Sequence, residues 1–182
     1  MSKPDLFRYE WIWEKAVGSN FAQLKYQPMK EHESVLVFSK KRHQYFPIKQ
    51  LRKGSGAKRA SGAYIQTKSG EASGGLIFQG AKAGHYDKEY RNPSSVQYFN
   101  NRDKERGLHP TQKPVALFEY LIKTYTNEGE TVLDNCMGSG TTAVACINTN
   151  RNFIGFELDE NYFNIAKERI NNHHTKRWRE TM

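Results

Sequence analysis

The sequence predicts an α/β fold with parallel strands, and three observations in its last third carry that expectation. An apolar run at 131–134 ends in Asp134 and gives way to a glycine-bearing loop, D-x-x-x-G-S-G. Helical periodicity follows at 141–149, then a second apolar run at 152–157 and a second helical pattern at 160–172. Strand and helix therefore alternate, and consecutive strands joined by helices lie parallel with right-handed crossovers.

Each preceding element has its own signal. In LFRYEWIW, 6–13, Phe7, Tyr9, Trp11 and Trp13 recur with period two, the mark of a strand. SVLVFSK, 34–40, is continuously apolar and reads as a strand in the centre of a sheet. The segment between, with Gly18 and Pro28, reads mainly as a loop with a short helix. KRHQYFPIK and SSVQYFNN add short strands at either end of the region that follows. After HPTQKP, 109–114, Pro114 suits a first helical turn, and Val115, Phe118, Leu121 and Ile122 form one apolar stripe.

Composition narrows the class. The 182 residues are 37% hydrophobic and include three Trp, ten Tyr and ten Phe, more aromatic than disordered chains usually are. The net charge of +9 is unevenly placed: residues 1–108 hold 20 Lys+Arg against 10 Asp+Glu, and residues 109–182 hold 8 against 9. Between Ser34 and Gly70 stand nine basic residues and no acid, and 54–84 contain eight of the fourteen glycines. Such a stretch reads as a basic, glycine-rich insertion. A polyanion is its natural partner, because cationic groups displace the counterions condensed on nucleic acid; a solvated face accounts for the same charge. Cys136 and Cys146 form no CxxC pair and the histidines no ligand spacing, so no metal is assigned. No apolar run is long enough to cross a membrane and the N-terminus has no signal core, from which a cytoplasmic protein is expected.

The loop after Asp134 carries the chemistry. Gly138 and Gly140 permit positive φ and a close approach of ligand to backbone, and the amides opening the 141–149 helix favour a carboxylate. Asp134, at the carboxyl end of its strand, can accept a hydrogen bond from an ammonium group. Glu157 ends the next strand, seventeen residues after Gly140, close to the roughly 20-residue interval at which an acid meets ribose hydroxyls in nucleotide-binding folds. A phosphate loop would place lysine where Thr141 stands.

HPTQKP, then V-x-L-x-x-x-L-I, L-D-x-x-x-G-S-G-T-T and G-x-E-x-D-x-x-Y, in that order, resemble the bacterial and phage S-adenosylmethionine-dependent DNA amino-methyltransferases, the adenine-N6 and cytosine-N4 family. The resemblance is strong over about 105–172 and extends to FRYEWIWEK and HESVLVFSK. It implies an incomplete Rossmann-like class I methyltransferase sheet: 1–40 the terminal strands, 41–104 a basic, Gly-rich target-recognition insertion, 105–182 the cofactor-binding region. By position it implies S-adenosylmethionine held by Thr111, Gln112, Lys113, Asp134, Gly138, Ser139, Gly140, Thr141 and Glu157. Asn135 and Cys136 replace the family's usual Pro-Phe, and Trp13 and Lys15 match a family pattern of no assigned role. It further implies double-stranded DNA as partner, with Lys40, Lys41, Arg42, Lys49, Arg52, Lys53, Lys58 and Arg59 as phosphate contacts. Phe21 and Tyr26 are candidates to stack on an extruded base, core or loop packing being the other reading.

One family feature is not in these residues. The [DNS]-P-P-[YFW] tetrapeptide that grips the target amine has no match, since none of the six prolines adjoins another. Catalytic residues are therefore unassigned, and a complementing N-terminal methyltransferase fragment or a homo-oligomer is expected, with strands 131–134 and 34–40 left with open edges. The expected activity is site-specific methylation of an exocyclic base amine, adenine N6 first. A non-catalytic DNA- or cofactor-binding remnant or regulator, and a methyltransferase for RNA or a small molecule, remain alternatives.

Overall fold

The computed structural model describes residues 6–53, 89–102 and 106–180. Two compact units divide the chain, Met1–Phe46 with Ser94–Met182 and, separately, Pro47–Pro93. In the smaller, β3 (Gln50–Leu51) pairs antiparallel with β4 (Tyr90–Arg91). Lys58 and Arg59 lie outside the described residues.

In the larger unit β1 (Phe7–Ser19) is the middle strand of three, antiparallel to β2 (Lys30–Phe38) and parallel to β5 (Val96–Phe99). Period-two alternation holds: Trp11, Trp13 and Lys15 are all buried on one face. Two expectations are corrected. The stretch after Trp13 is not mainly loop, because β1 runs on to Ser19 and β2 begins at Lys30. Asn20, at φ 66°, turns the chain; its side chain accepts from the Lys30 amide at 2.8 Å and donates to the Pro28 carbonyl at 3.2 Å, closing the hairpin around a short 3-10 turn at Phe21–Gln23. Nor is β2 central. It is an edge strand among the described residues, with Leu36 51% and Phe38 53% exposed. KRHQYFPIK forms no strand before Gln50, whereas SSVQYFNN does contribute one.

The helix α1 (Val115–Tyr125) starts at Pro114, as its missing amide donor allows. It buries two faces. Val115, Phe118 and Ile122 pack with Ala145, Cys146, Val132 and Phe153. Leu117 and Tyr120 turn instead to Trp11, Val35 and Phe99 of the three-stranded sheet, and Leu121 borders both sides. Trp11 donates its indole N–H to the Tyr125 hydroxyl at 2.5 Å, which fastens the helix's last turn to that sheet.

A second sheet pairs β6 (Thr131–Asp134) in parallel with β7 (Asn152–Gly155), joined by α2 (Thr141–Asn148); α3 (Glu160–Glu180) follows. Residues 141 to 146 of α2 are all buried. Cys146 is one of these packing groups, and burial pushes its thiol up to about 11. No helix among the described residues is long and apolar enough to cross a membrane.

Candidate cofactor site

The site is built where β6 ends. Gly138 (φ 52°) and Gly140 (φ 77°) both adopt the left-handed conformation that the loop requires. A Cβ on Gly140 would come within 3.0 Å of the Ala166 side chain, so the loop also lies against α3. Arg169 of α3, itself buried, donates to the Ser139 carbonyl and the Thr141 hydroxyl, each at 3.1 Å. No sequence signal singles this arginine out, because it stands among the other charges of a polar helix.

Asp134 receives the Cys136 amide at 3.1 Å on one oxygen and the Thr142 hydroxyl at 2.5 Å on the other. A carboxylate has about four acceptor positions, so two remain for a donor arriving from the cavity. Glu157 accepts the Gly138 amide at 2.8 Å and the Asp159 amide at 3.0 Å. These amides, Asp159 first and then Gly138, hold its carboxyl below the usual range. The acid therefore fastens the glycine loop to the end of the neighbouring strand.

The 109–114 segment meets this loop through His109. Its ring lies 4.2 Å from the Tyr162 ring, edge to face, and a Cβ on Gly138 would come within 3.3 Å of it. The ring's Nδ1 lies 3.1 Å from the Thr111 hydroxyl. His109 is thus a positioning residue that the motif contains but that was not among the candidates. Around the junction opens a cavity of about 580 Å³. Of the nine cofactor candidates, Thr111, Gln112, Lys113, Asp134, Gly138, Ser139 and Thr141 line it; Gly140 and Glu157 do not. Phe118, Leu121, Val132 and Met137 make its apolar wall. Small-ligand pockets run to about 300–1,000 Å³ with apolar walls and a few convergent polar groups, which this one matches. Among the described residues no cluster of His, Cys, Asp and Glu suits a metal ion.

The nucleic-acid candidates are placed less tightly. Lys40, Lys41 and Arg42 are exposed in the turn after β2; Lys49 and Lys53 are exposed and Arg52 half-buried in the smaller unit. Phe21 and Tyr26 are 59% and 83% exposed beside the 3-10 turn.

The alternating strands and helices, with a glycine loop at the carboxyl end of β6, define an incomplete Rossmann-like fold of the class I methyltransferase kind. A family model described as DNA methylase, for the N6 and N4 enzymes, matches residues 5–168. The chain belongs to that family. It is 45% identical over 82 residues to the Type II methyltransferase M.HpaI of Haemophilus parainfluenzae, covering 43% of this chain and 26% of that protein. With Type II methyltransferase M.BglII of Bacillus subtilis it shares 33% over 141 residues, 74% of this chain and 35% of the relative. The chain thus spans about a quarter to a third of these curated relatives. Among solved structures it is similar to an M1.HpyAVI–SAM complex, with 26% identity and a TM-score of 0.57 over 91% of this chain and 62% of that one.

Proposed function

We propose that this chain supplies the S-adenosylmethionine-binding and DNA-binding parts of a methyltransferase acting on an exocyclic base amine, with adenine N6 as the acceptor in preference to cytosine N4. The observation that carries the reading is the convergence of seven motif residues from two separate segments on one cavity of about 580 Å³. The similar M1.HpyAVI structure holds the same cofactor.

The residues fit that group by their chemistry. Asp134, which lines the cavity, offers free acceptor positions to an ammonium, and the loop held by Arg169 and Glu157 leads into the first turn of α2, whose opening amides favour a carboxylate. When bound, the cofactor supplies an electrophilic methyl group on a sulfonium. The chain's own contribution is to orient the ligand and exclude water along the Phe118, Leu121 and Val132 wall. The [DNS]-P-P-[YFW] tetrapeptide that holds the acceptor amine is not within these 182 residues. The reading therefore pairs the chain with a segment that bears it, on the same or another polypeptide.

Titration calorimetry with S-adenosylmethionine and its demethylated product tests the site, and uptake of neither would remove the proposal. Methyl transfer to duplex DNA is then measured with the chain alone and mixed with a fragment carrying the tetrapeptide. Product analysis for N6-methyladenine or N4-methylcytosine identifies the acceptor.

A further inference from the structure

The 109–114 segment has a second concavity on its other side, of about 710 Å³, whose lining includes Lys15, Glu33, Arg106, His109, Lys113 and Tyr162. On its floor, Glu33 bridges two lysines, one oxygen 2.8 Å from Lys15 Nζ and the other 2.9 Å from Lys113 Nζ. Both ammonium groups lie over the Trp13 ring, at 5.6 Å and 5.8 Å from its centroid. Trp13 and Lys15 are buried, while the Lys113 side chain keeps about a third of its surface exposed.

The charge in this cluster does not cancel. Two lysines share one carboxylate, and Glu33 is the only acid among the described lining residues, which also include Arg106 and His109. The Lys15–Glu33 contact is a complete pair by itself, so Lys113 adds a surplus positive charge over an indole face, where about two-thirds of its side chain is shielded from water. A surplus of one sign inside a concave wall focuses the field on an incoming ion of the other sign. Lys113 borders both cavities, but Glu33 lines the second and not the first. Its ammonium is therefore held on the side away from Asp134.

We propose that the concavity floored by Lys15, Glu33 and Lys113 is a phosphate subsite for the DNA strand, set beside the cofactor cavity. The inference rests on the proposed function, under which the second substrate is a chain of phosphodiesters. Among the described residues Lys113 pairs with Glu33, and Lys15 with Glu33 and Ser19, which leaves each ammonium with more donors than these partners take. The remaining donors of Lys113, whose side chain is about a third exposed, are those a phosphate oxygen would accept from. Glu33 holds Lys113 at this place through a hydrogen bond to one oxygen, a bond that a glutamine oxygen also accepts, so the carboxylate's charge is not needed for the placement.

The test is anisotropy of a short labelled DNA duplex, without cofactor, over a series of salt concentrations. Lys113→Gln is expected to weaken binding and to lower the slope of log K against log salt by about one. Glu33→Gln removes a negative charge from the subsite and is expected to bind at least as tightly as the unaltered protein. Melting curves confirm that each variant is folded. An unchanged slope for Lys113→Gln would overturn the inference, as would a Glu33→Gln protein that is folded yet weakened to the same degree, since the cluster would then be only a brace. Inorganic phosphate alone is the control for a free anion: competition only at millimolar concentration supports the DNA assignment, and binding as tight as the duplex overturns it. Calorimetry with S-adenosylmethionine reads the other cavity independently. Uptake there with an unchanged salt slope removes the phosphate subsite and leaves the methyltransferase reading standing.

Discussion

Arg169 and Ser139, thirty residues apart, are joined by a buried hydrogen bond of 3.1 Å from guanidinium to main-chain carbonyl, and the same nitrogen reaches the Thr141 hydroxyl at 3.1 Å. The loop that lines the cavity of about 580 Å³ is thereby clamped from behind by α3. A hydrogen bond to a charged group is worth about 1.5–3 kcal/mol, and removing one partner in a buried place strands the other. Arg169→Met is expected to lower stability by about that amount in urea unfolding. It also loosens the loop, so cofactor affinity should fall in calorimetry even where the variant is folded.

Asp134 tests the front of the same loop. Asparagine keeps the side chain's shape and an acceptor for the Cys136 amide at 3.1 Å, but it removes the charge that an ammonium would meet. Loss of one charge-assisted hydrogen bond predicts about ten- to hundredfold weaker binding of S-adenosylmethionine for Asp134→Asn. Melting within a few degrees of the unaltered protein would assign the loss to the site. Unchanged affinity would place the ligand's ammonium elsewhere.

Gly140 is fixed by conformation and by space at once. At φ 77° an L-residue costs about 1–2 kcal/mol, and a Cβ would lie 3.0 Å from the Ala166 side chain. Gly140→Ala should therefore destabilise by at least that amount in denaturant titration. Gly129, at φ 80°, has nothing within 4 Å of its would-be Cβ. Gly129→Ala should show the backbone penalty alone, and the difference between the two variants measures the contact with α3.

These positions also show which parts of the fold were legible. Gly138 and Gly140 announce themselves because positive φ and close packing leave few residue types acceptable there, and Asp134 because its acid stands at the carboxyl end of a strand just before them. The apolar run at 34–38 misleads for a physical reason. Continuous apolarity is the same whether a strand is covered on both faces or bares one, and Leu36 and Phe38 are on the bared side. The hairpin ends were hidden because KEHE carries no alternation and its strand is held by main-chain pairing with β1 and by Asn20. α1 held a second stripe, Leu117, Tyr120, Leu121 and Thr124, at helical spacing, which only a helix serving two sheets would need. Partners far apart in sequence, such as Arg169 with Ser139 or Glu33 with Lys113, have no periodic signature.

Acid sensitivity follows from the Glu33 bridge. Burial raises its pKa, but the hydrogen bonds from Lys15 and Lys113 outweigh that and leave it below its ordinary 4.5. A depressed carboxyl contributes stability that is present above its unfolded value and is lost as pH falls through the folded one. The melting temperatures of the unaltered protein and Glu33→Gln should therefore differ above about pH 4.5 and converge as pH is lowered beneath it. A constant gap across that window would show that Glu33 contributes through packing, not charge.

The open side of β6 yields the last prediction. Asp134 and Glu130 give their carbonyls to Phe156 and Asn152 of the neighbouring chain segment, so the intervening main-chain groups of Thr131 and Leu133 point to the opposite edge. Among the described residues β6 has no second partner strand, and Leu133 is 62% exposed beside the cavity. An uncovered strand edge with an apolar residue is a template for pairing with another strand. The chain by itself should then associate with rising concentration in light scattering. Leu133→Lys, a charge at the edge, should suppress that association while leaving the melting temperature within a few degrees. A fragment that brings the tetrapeptide and its own strands should suppress it too, by occupying the edge, and association indifferent to both would locate the sticky surface elsewhere.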